Sequence, residues 1–262
     1  MKLTVLTENT TCRDDLTCEH GLSLYIETNG QHLLFDAGQT GAFADNAEKL
    51  GIDLSQVDLC ILSHGHYDHG GGLKRFLELN DHAKIYVSRH AFGDYYNAEP
   101  KYIGLDWELL NADQITFVGD NLTLSDTLSL HSCPNFPQVY FTDAYGMQAK
   151  RREQMETDDF RHEQYLLIRE GERRIIVSGC SHKGVLNLKT WFAPDVFIGG
   201  FHLMKLDPEK EAARLKFTAM ELMQKDTVYY TGHCTGAEQF AALKAHMGDG
   251  LIALTTGGVY EI

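Results

Sequence analysis

The chain reads as an α/β protein in which two β-sheets are sandwiched between helices. Short apolar runs bounded by glycine-rich turns recur along most of its length. These runs form an early and a late group, and each group is followed by segments with helix-start signals and apolar residues at helical spacing. With 262 residues, 43% of them hydrophobic and only five prolines, the chain can bury a large core. It has no linker or low-complexity tract, so residues 1–262 are expected to form a single domain.

The early strands are KLTVLTE (2–8), LSLYIET (22–28), HLLFDA (32–37), LCILS (59–63) and KIYVS (84–88). Asn29-Gly30 separates the second from the third, a strong signal for a tight hairpin. Thr40 precedes GAFADNAEKL, a helix with Phe43, Ala47 and Leu50 on one face and Gly51 at its end. A further helix is expected at GLKRFLELN (72–80). The late strands are QYLLIRE (164–170), RRIIVSG (173–179), VFIGG (196–200), TVYYTG (227–232) and LIALTTGGVYEI (251–262). Asp207-Pro208-Glu209 has the form of an N-cap, a first-turn proline and an early acid, opening a helix to about Lys225. Thr235 and Glu238 have the spacing of a capping box for a helix through Met247. The stretch at about 90–160 is the least regular and reads as a variable insertion. Its Tyr95, Tyr96, Tyr102 and Trp107 either pack on the core or form a lid able to stack on a flat heterocycle.

Composition narrows the function. The net charge is −14 and the only basic run, Lys150-Arg151-Arg152, is short and followed by acids, which argues against nucleic acid as the main partner. No apolar run reaches the ~18 residues of a membrane span. The N-terminus lacks a signal-peptide pattern, so a cytoplasmic location is expected. Six cysteines without a CxxC do not suggest a disulfide framework, and Cys60 sits in a strand pattern as a small core residue.

The chemistry concentrates in SHGHYDHGG. His64, His66, Asp68 and His69 follow a buried strand, and Gly70 to Gly72 would let the chain turn and leave room for ions. Imidazole and carboxylate suit zinc, and also iron, manganese or nickel. Three more histidines stand after an apolar run and a glycine: His182 in IIVSGCSHKG, His202 in VFIGGFHL and His233 in VYYTGHCTG. Each is thereby placed at a strand's C-terminal rim. His20, His32, His82, His90 and His246 lack that context and read as surface residues.

SHGHYDHGG resembles the H-x-H-x-D-H signature of the metallo-β-lactamase superfamily. EHGLSLYIE, LLFDAGQTGAFADNAEKLGIDL, GCSHKGVLN, GGFHL and GHCTG resemble one subset of it. That subset is called dihydropteroate-synthase-related, or dihydropterin-6-methyl-aminobenzene phosphate synthase-like. The resemblance implies an αββα sandwich with metals at one edge. It places His64 and His66 on a first ion and Asp68, His69 and His233 on a second, with Asp36 orienting a ligand imidazole. Where the family pattern has Gly-Asp, this chain has Gly179-Cys180. His182 is therefore favoured as the first ion's third ligand, with His162 as the other candidate. Cys180 either ligates in place of the missing carboxylate or lines the site. His202 faces substrate or coordinates, Cys234 packs behind His233, and the helix start at Thr235 would favour an anion. Lys183 either neutralises a substrate phosphate or carboxylate or merely solvates its loop.

The implied activity is hydrolysis of a small anionic substrate such as a phosphoester, cyclic phosphate, ester or lactone. One or two ions, zinc first, would serve it, with Asp68 and His202 as catalytic groups. The alternative is a pterin- or folate-related synthase-like or ligand-binding protein on the same site. A di-iron redox protein fits less well, because His66 stands where redox members resembling flavodiiron proteins carry Glu.

Overall fold

The computed structural model describes residues 1–262. Its strands are β1 (Lys2–Thr7), β2 (Ser23–Thr28), β3 (Gln31–Phe35), β4 (Leu59–Ile61), β5 (Lys84–Ser88), β6 (Asp94–Tyr96), β7 (Ile115–Val118), β8 (Asn121–Thr123) and β9 (Leu128–His131). They continue as β10 (Gln148–Arg151), β11 (Gln154–Thr157), β12 (Tyr165–Glu170), β13 (Arg173–Val177), β14 (Val196–Ile198), β15 (Val228–Thr231), β16 (Leu251–Ala253) and β17 (Val259–Glu261). The α-helices are α1 (Ala42–Lys49), α2 (Tyr67–Gly70), α3 (Leu73–Leu79), α4 (Val185–Phe192), α5 (Ala212–Leu222) and α6 (Ala237–Met247).

Two seven-stranded sheets face each other, with orders β17-β1-β2-β3-β4-β5-β7 and β16-β15-β14-β13-β12-β9-β8. Alternation along each strand builds the layers, because successive side chains point to opposite faces. On β3, Leu33 and Phe35 enter the core between the sheets while Leu34 packs outward with Phe43, Leu73 and Phe76 of α1 and α3. On β13 and β14, Ile175, Val177, Val196 and Ile198 point inward, while Ile176 and Phe197 meet Leu188, Leu215 and Leu243 of α4, α5 and α6. The result is the expected αββα order. Strands β3, β4, β5 and β7 run parallel to one another, as do β13 to β16. Their C-terminal ends therefore line up along one edge of each sheet.

The β2–β3 hairpin closes from Thr28 to Gln31 through Asn29 and Gly30, at φ 50 and 74°, the left-handed pair that a tight hairpin turn needs. Other expectations are corrected. The run 251–262 is two strands on opposite sheets, β16 and β17. The helix after Asp207 starts later, at Ala212, because the Asp207 carboxylate accepts from Glu209 and Lys210 N–H and caps a separate turn. Thr235 caps nothing: its hydroxyl is spent on Thr231 and on Phe201 N–H, and α6 begins after Gly236. Helix α4 and strands β6 to β11 escaped the sequence reading. Of these, β7, β8 and β9 are built into the two large sheets, so residues 115–131 are scaffold rather than insertion.

Leu166 is fully buried between the sheets. Leu166→Ala is expected to lower the unfolding free energy by about 2–5 kcal/mol. Val139→Ala, at an exposed position, should change it by less than about 0.5 kcal/mol. Urea denaturation followed by circular dichroism checks both.

Candidate metal centre

Five parallel-strand ends supply the site. Asp36 follows β3, and Ser63, His64 and His66 follow β4. Cys180 and His182 follow β13, His202 follows β14, and His233 follows β15. His64, His66, Asp68, His69, His182 and His233 are all buried, none more than 8% exposed.

They form two groups. Donor atoms of His64, His66 and His182 lie within 4.8 Å of one another, with the Nε2 atoms of His64 and His182 at 3.3 Å. In the second group, Asp68 Oδ2 lies 3.8 Å from His69 Nε2 and 3.4 Å from His233 Nε2, and those two nitrogens are 3.1 Å apart. Cys180 Sγ lies 3.2 Å from His69 Nε2 and within 4.8 Å of a His64 ring nitrogen, so it stands between the groups.

Hydrogen bonding decides which nitrogens face inward. Asp36 accepts from Ser63 N–H and Ser63 Oγ–H, and its Oδ2 takes the proton of His69 Nδ1, each at 2.7 Å. With its own proton committed to Asp36, Ser63 Oγ receives that of His64 Nδ1 at 2.8 Å. Asn9 Oδ1 receives that of His233 Nδ1 at 3.0 Å. The Nε2 atoms of His64, His69 and His233 are thus left as lone pairs turned toward other imidazoles. His66 Nε2 and His182 Nδ1 are buried with no partner. Converging lone pairs need a cation between them, and this donor set of imidazole, carboxylate and thiol fits a zinc-class ion.

Electrostatics agree. Burial and the surrounding histidines hold His64 and His182 well below the ordinary imidazole range, and burial with nearby His162 takes His66 down to about 3. These rings are neutral at pH 7, the form a metal requires. Burial opposes charge on His69 too, but the Asp36 and Asp68 carboxylates outweigh it and raise His69 to about 9. Burial likewise works against Asp68, yet His69, His20 and His233 hold its carboxyl well below the usual range. The second group is thus the more cation-seeking of the two.

Several residues sit elsewhere than the sequence suggested. His162 is buried, but its Nδ1 accepts from Gly65 N–H at 3.0 Å and its Nε2–H is directed at Asp158 Oδ2 at 3.0 Å, so it has no lone pair for an ion. His20 is exposed, as expected, yet its Nε2 lies 3.4 Å from Asp68 Oδ2 and its ring is 4.8 Å from that of His233. Lys183 does not solvate its loop. Its ammonium donates to Ser132 O at 2.7 Å, and burial lowers its pKa. Cys234 lies beside Cys180 and His202 rather than behind His233. Gly71 and Gly72 make no room for ions. A Cβ there would come within 2.2 and 2.1 Å of the Gln39 and Ala37 carbonyls, so these glycines let the start of α3 pack against that loop.

The tyrosine–tryptophan lid is also corrected. Tyr95 is buried with its ring 4.0 Å from that of His162, Tyr96 pairs with Tyr102, and Trp107 packs on Phe92. Other aromatic residues line the cavity of about 240 Å³ beside His182 and His202: Tyr140, Phe141, Tyr145 and Phe217, with Arg214 among them. Asn187 on α4 clamps that wall, accepting from Val139 and Tyr140 N–H and donating to Tyr140 O. Asn9, Ser63 and Glu163, which accepts from the His182 and Lys183 N–H groups, were also missed. The one available signal was a polar residue within two positions of a strand's end, as at Glu8-Asn9 and Ser63.

An αββα sandwich with such a donor cluster at the strand ends has the architecture of a metal-dependent hydrolase. Residues 16–134 match the metallo-β-lactamase superfamily family model. The chain is 30% identical over 210 residues to protein MJ0448 of Methanocaldococcus jannaschii, covering 76% of this chain and 78% of that protein. It is also 30% identical over 250 residues to the 7,8-dihydropterin-6-methyl-4-(β-D-ribofuranosyl)-aminobenzene-5'-phosphate synthase of the same organism, covering 83% and 81%. The crystal structure of Tm1679, a metal-dependent hydrolase of the β-lactamase superfamily, superposes with a TM-score of 0.86 at 26% identity, over 100% of this chain and 99% of that one. The chain belongs to the metallo-β-lactamase superfamily. No helix is long and apolar enough to cross a membrane.

His162→Ala removes one hydrogen bond from the buried Asp158 carboxylate, which keeps that of Phe160 N–H and lies 3.8 Å from Arg151. It is expected to cost roughly 1.5–3 kcal/mol of stability while leaving the metal-to-protein ratio of the folded variant at the wild-type value. Denaturation curves and elemental analysis read the two effects separately, and a ratio lower by about one ion would mean that His162 is a ligand after all.

Proposed function

We propose that the chain is a metal-dependent hydrolase of a small anionic substrate, such as a phosphoester, cyclic phosphate, ester or lactone. The observation that carries this reading is the pair of converging donor groups next to a cavity that His182 and His202 share with aromatic side chains and Arg214. His64, His66 and His182 would hold one ion, and Asp68, His69 and His233 a second, with Cys180 between them. Zinc is the favoured metal, since borderline-soft nitrogen and sulfur donors suit it. Ions held there would supply Lewis acidity to an acyl or phosphoryl oxygen and acidify water.

The chain's own groups do the rest. Arg214 would pair with the substrate's anionic group, and Phe141 and Tyr145 would flank its apolar part. Asp68, with His69 and His20 beside it, would orient the attacking water. His202 borders the cavity with both ring nitrogens unpartnered, which suits contact with substrate. The putting-together of ligands from residues 64 to 233 supports a single functional domain, and six unpaired cysteines suit a reducing, cytoplasmic setting.

A second reading, a pterin-related synthase or binder, is favoured by one observation: the aromatic wall with its guanidinium also suits a flat heterocycle bearing an anionic group. Elemental analysis of anaerobically purified protein with a phosphoester, ester and lactone panel separates the two. Near two zinc ions per chain, reduced by His66→Ala and by His182→Ala together with turnover, is the expected result. Full metal without turnover on any substrate would shift the assignment to the second reading, and absence of metal would sink both. Arg214→Ala should raise KM by about 10–100-fold with little change in kcat, the loss of one charge-assisted contact made in ground and transition state alike.

A further inference from the structure

Cys180, which stands by His64 and His69, also belongs to another donor cluster. The Sγ atoms of Cys180 and Cys234 and a ring nitrogen of His202 lie within 4.8 Å of one another. Both thiols are buried and neither is in a disulfide. Both ring nitrogens of His202 are shielded from solvent without any hydrogen-bond partner. An imidazole that has lost its water and gained nothing in exchange calls for a ligand. The backbone is shaped around this cluster. His202 sits in the left-handed region at φ 55°, and a Cβ on Gly200 would lie 2.4 Å from Cys234 Sγ, so only glycine leaves the sulfur its place. Leu203 and Met204 N–H both donate to Cys234 O at 3.0 Å, which fixes the loop after β14 against the loop after β15.

We propose that Cys180, Cys234 and His202 form a thiolate–imidazole position for a zinc-class cation, adjoining the imidazole–carboxylate centre and sharing Cys180 with it. Two sulfurs and one nitrogen match zinc, iron(II) or cobalt(II) and disfavour magnesium and calcium, which take oxygen donors. Three donors leave a tetrahedral ion one ligand short, and His202 borders the cavity from which the fourth can come. Each thiol that coordinates gives its proton to solvent, so a divalent ion bound by both sulfurs displaces two protons. The proposal rests on the hydrolase reading only in its location beside that centre; it needs no turnover.

The test is anaerobic titration of reduced, metal-stripped full-length protein with cobalt(II). Sulfur-to-cobalt charge transfer reports thiolate ligation, the visible ligand-field bands report all bound cobalt, and native mass spectrometry counts the ions. Wild-type protein should show the charge-transfer band. Cys234→Ser should lose about half of it together with one ion, and Cys133→Ser, at a buried thiol outside the cluster, should keep it all. His202→Asn, the variant least able to disturb the core, should weaken cobalt binding at the sulfurs by roughly tenfold or more. His66→Ala should lose ligand-field intensity while retaining charge transfer. Ligand-field bands without charge transfer, or a Cys234→Ser protein identical to wild type, would overturn the thiolate position alone. Failure to bind any cobalt would overturn the hydrolase reading with it.

Discussion

Five imidazoles and two carboxylates are packed out of solvent where the two sheets meet, at His64, His66, His69, His182, His233, Asp36 and Asp68. Their hydrogen-bond partners leave a surplus of inward-facing lone pairs. Asp36 is central: one carboxylate accepts three hydrogen bonds, fixing His69 directly and His64 through Ser63. A buried polar cluster of this kind is costly unless every lone pair is met. Protons can meet some of them, as the raised pKa of His69 shows, but the depressed values at His64, His66 and His182 mean that protons cannot serve the first group. A divalent ion can serve both.

The scaffold makes this arrangement possible by ending parallel strands at one edge. Hydrophobic alternation seals both faces of each sheet, so the first residues past a strand are where polar groups can gather without disturbing a layer. The chain bends sharply there. Asp36, Ser181, His202 and His233 all have φ between 48 and 60°, a conformation that costs non-glycine residues of order 1–3 kcal/mol each. Strain repeated at four strand ends around one cluster is better explained by the chemistry of that cluster than by packing, since hydrogen bonds such as those of Glu8 to His233 N–H and Glu163 to His182 N–H hold the loops in place.

The cavity adds what the donors lack. Its wall combines aromatic surface with one guanidinium and abuts His182 and His202, so a substrate bound there would present its polar end to the cluster. Relatives named for hydrolysis and for a pterin-related synthesis show that this scaffold is associated with more than one chemistry, and the wall rather than the donors is where such differences can arise.

Much of this was legible in the sequence. The H-x-H-x-D-H spacing and the repeated strand–glycine–histidine pattern mark donor-rich strand ends, because a strand's period and its terminating glycine are local properties. Hydrophobic alternation likewise marks most strands of both sheets. Partner choice is not local. That His162 uses both nitrogens on Gly65 and Asp158, that His20 reaches Asp68, that Cys234 meets Cys180, and that the aromatic wall comes from Tyr140 to Tyr145 rather than from Tyr95 to Trp107 depend on which chain segments meet in space. Even the run 251–262 could not reveal from its own residues that its halves pair with different sheets. The sequence by itself determined the residue types that gather at the edge and the strands that carry them there. The tertiary structure decided which lone pairs remain free, since that depends on hydrogen bonds between residues up to 224 positions apart.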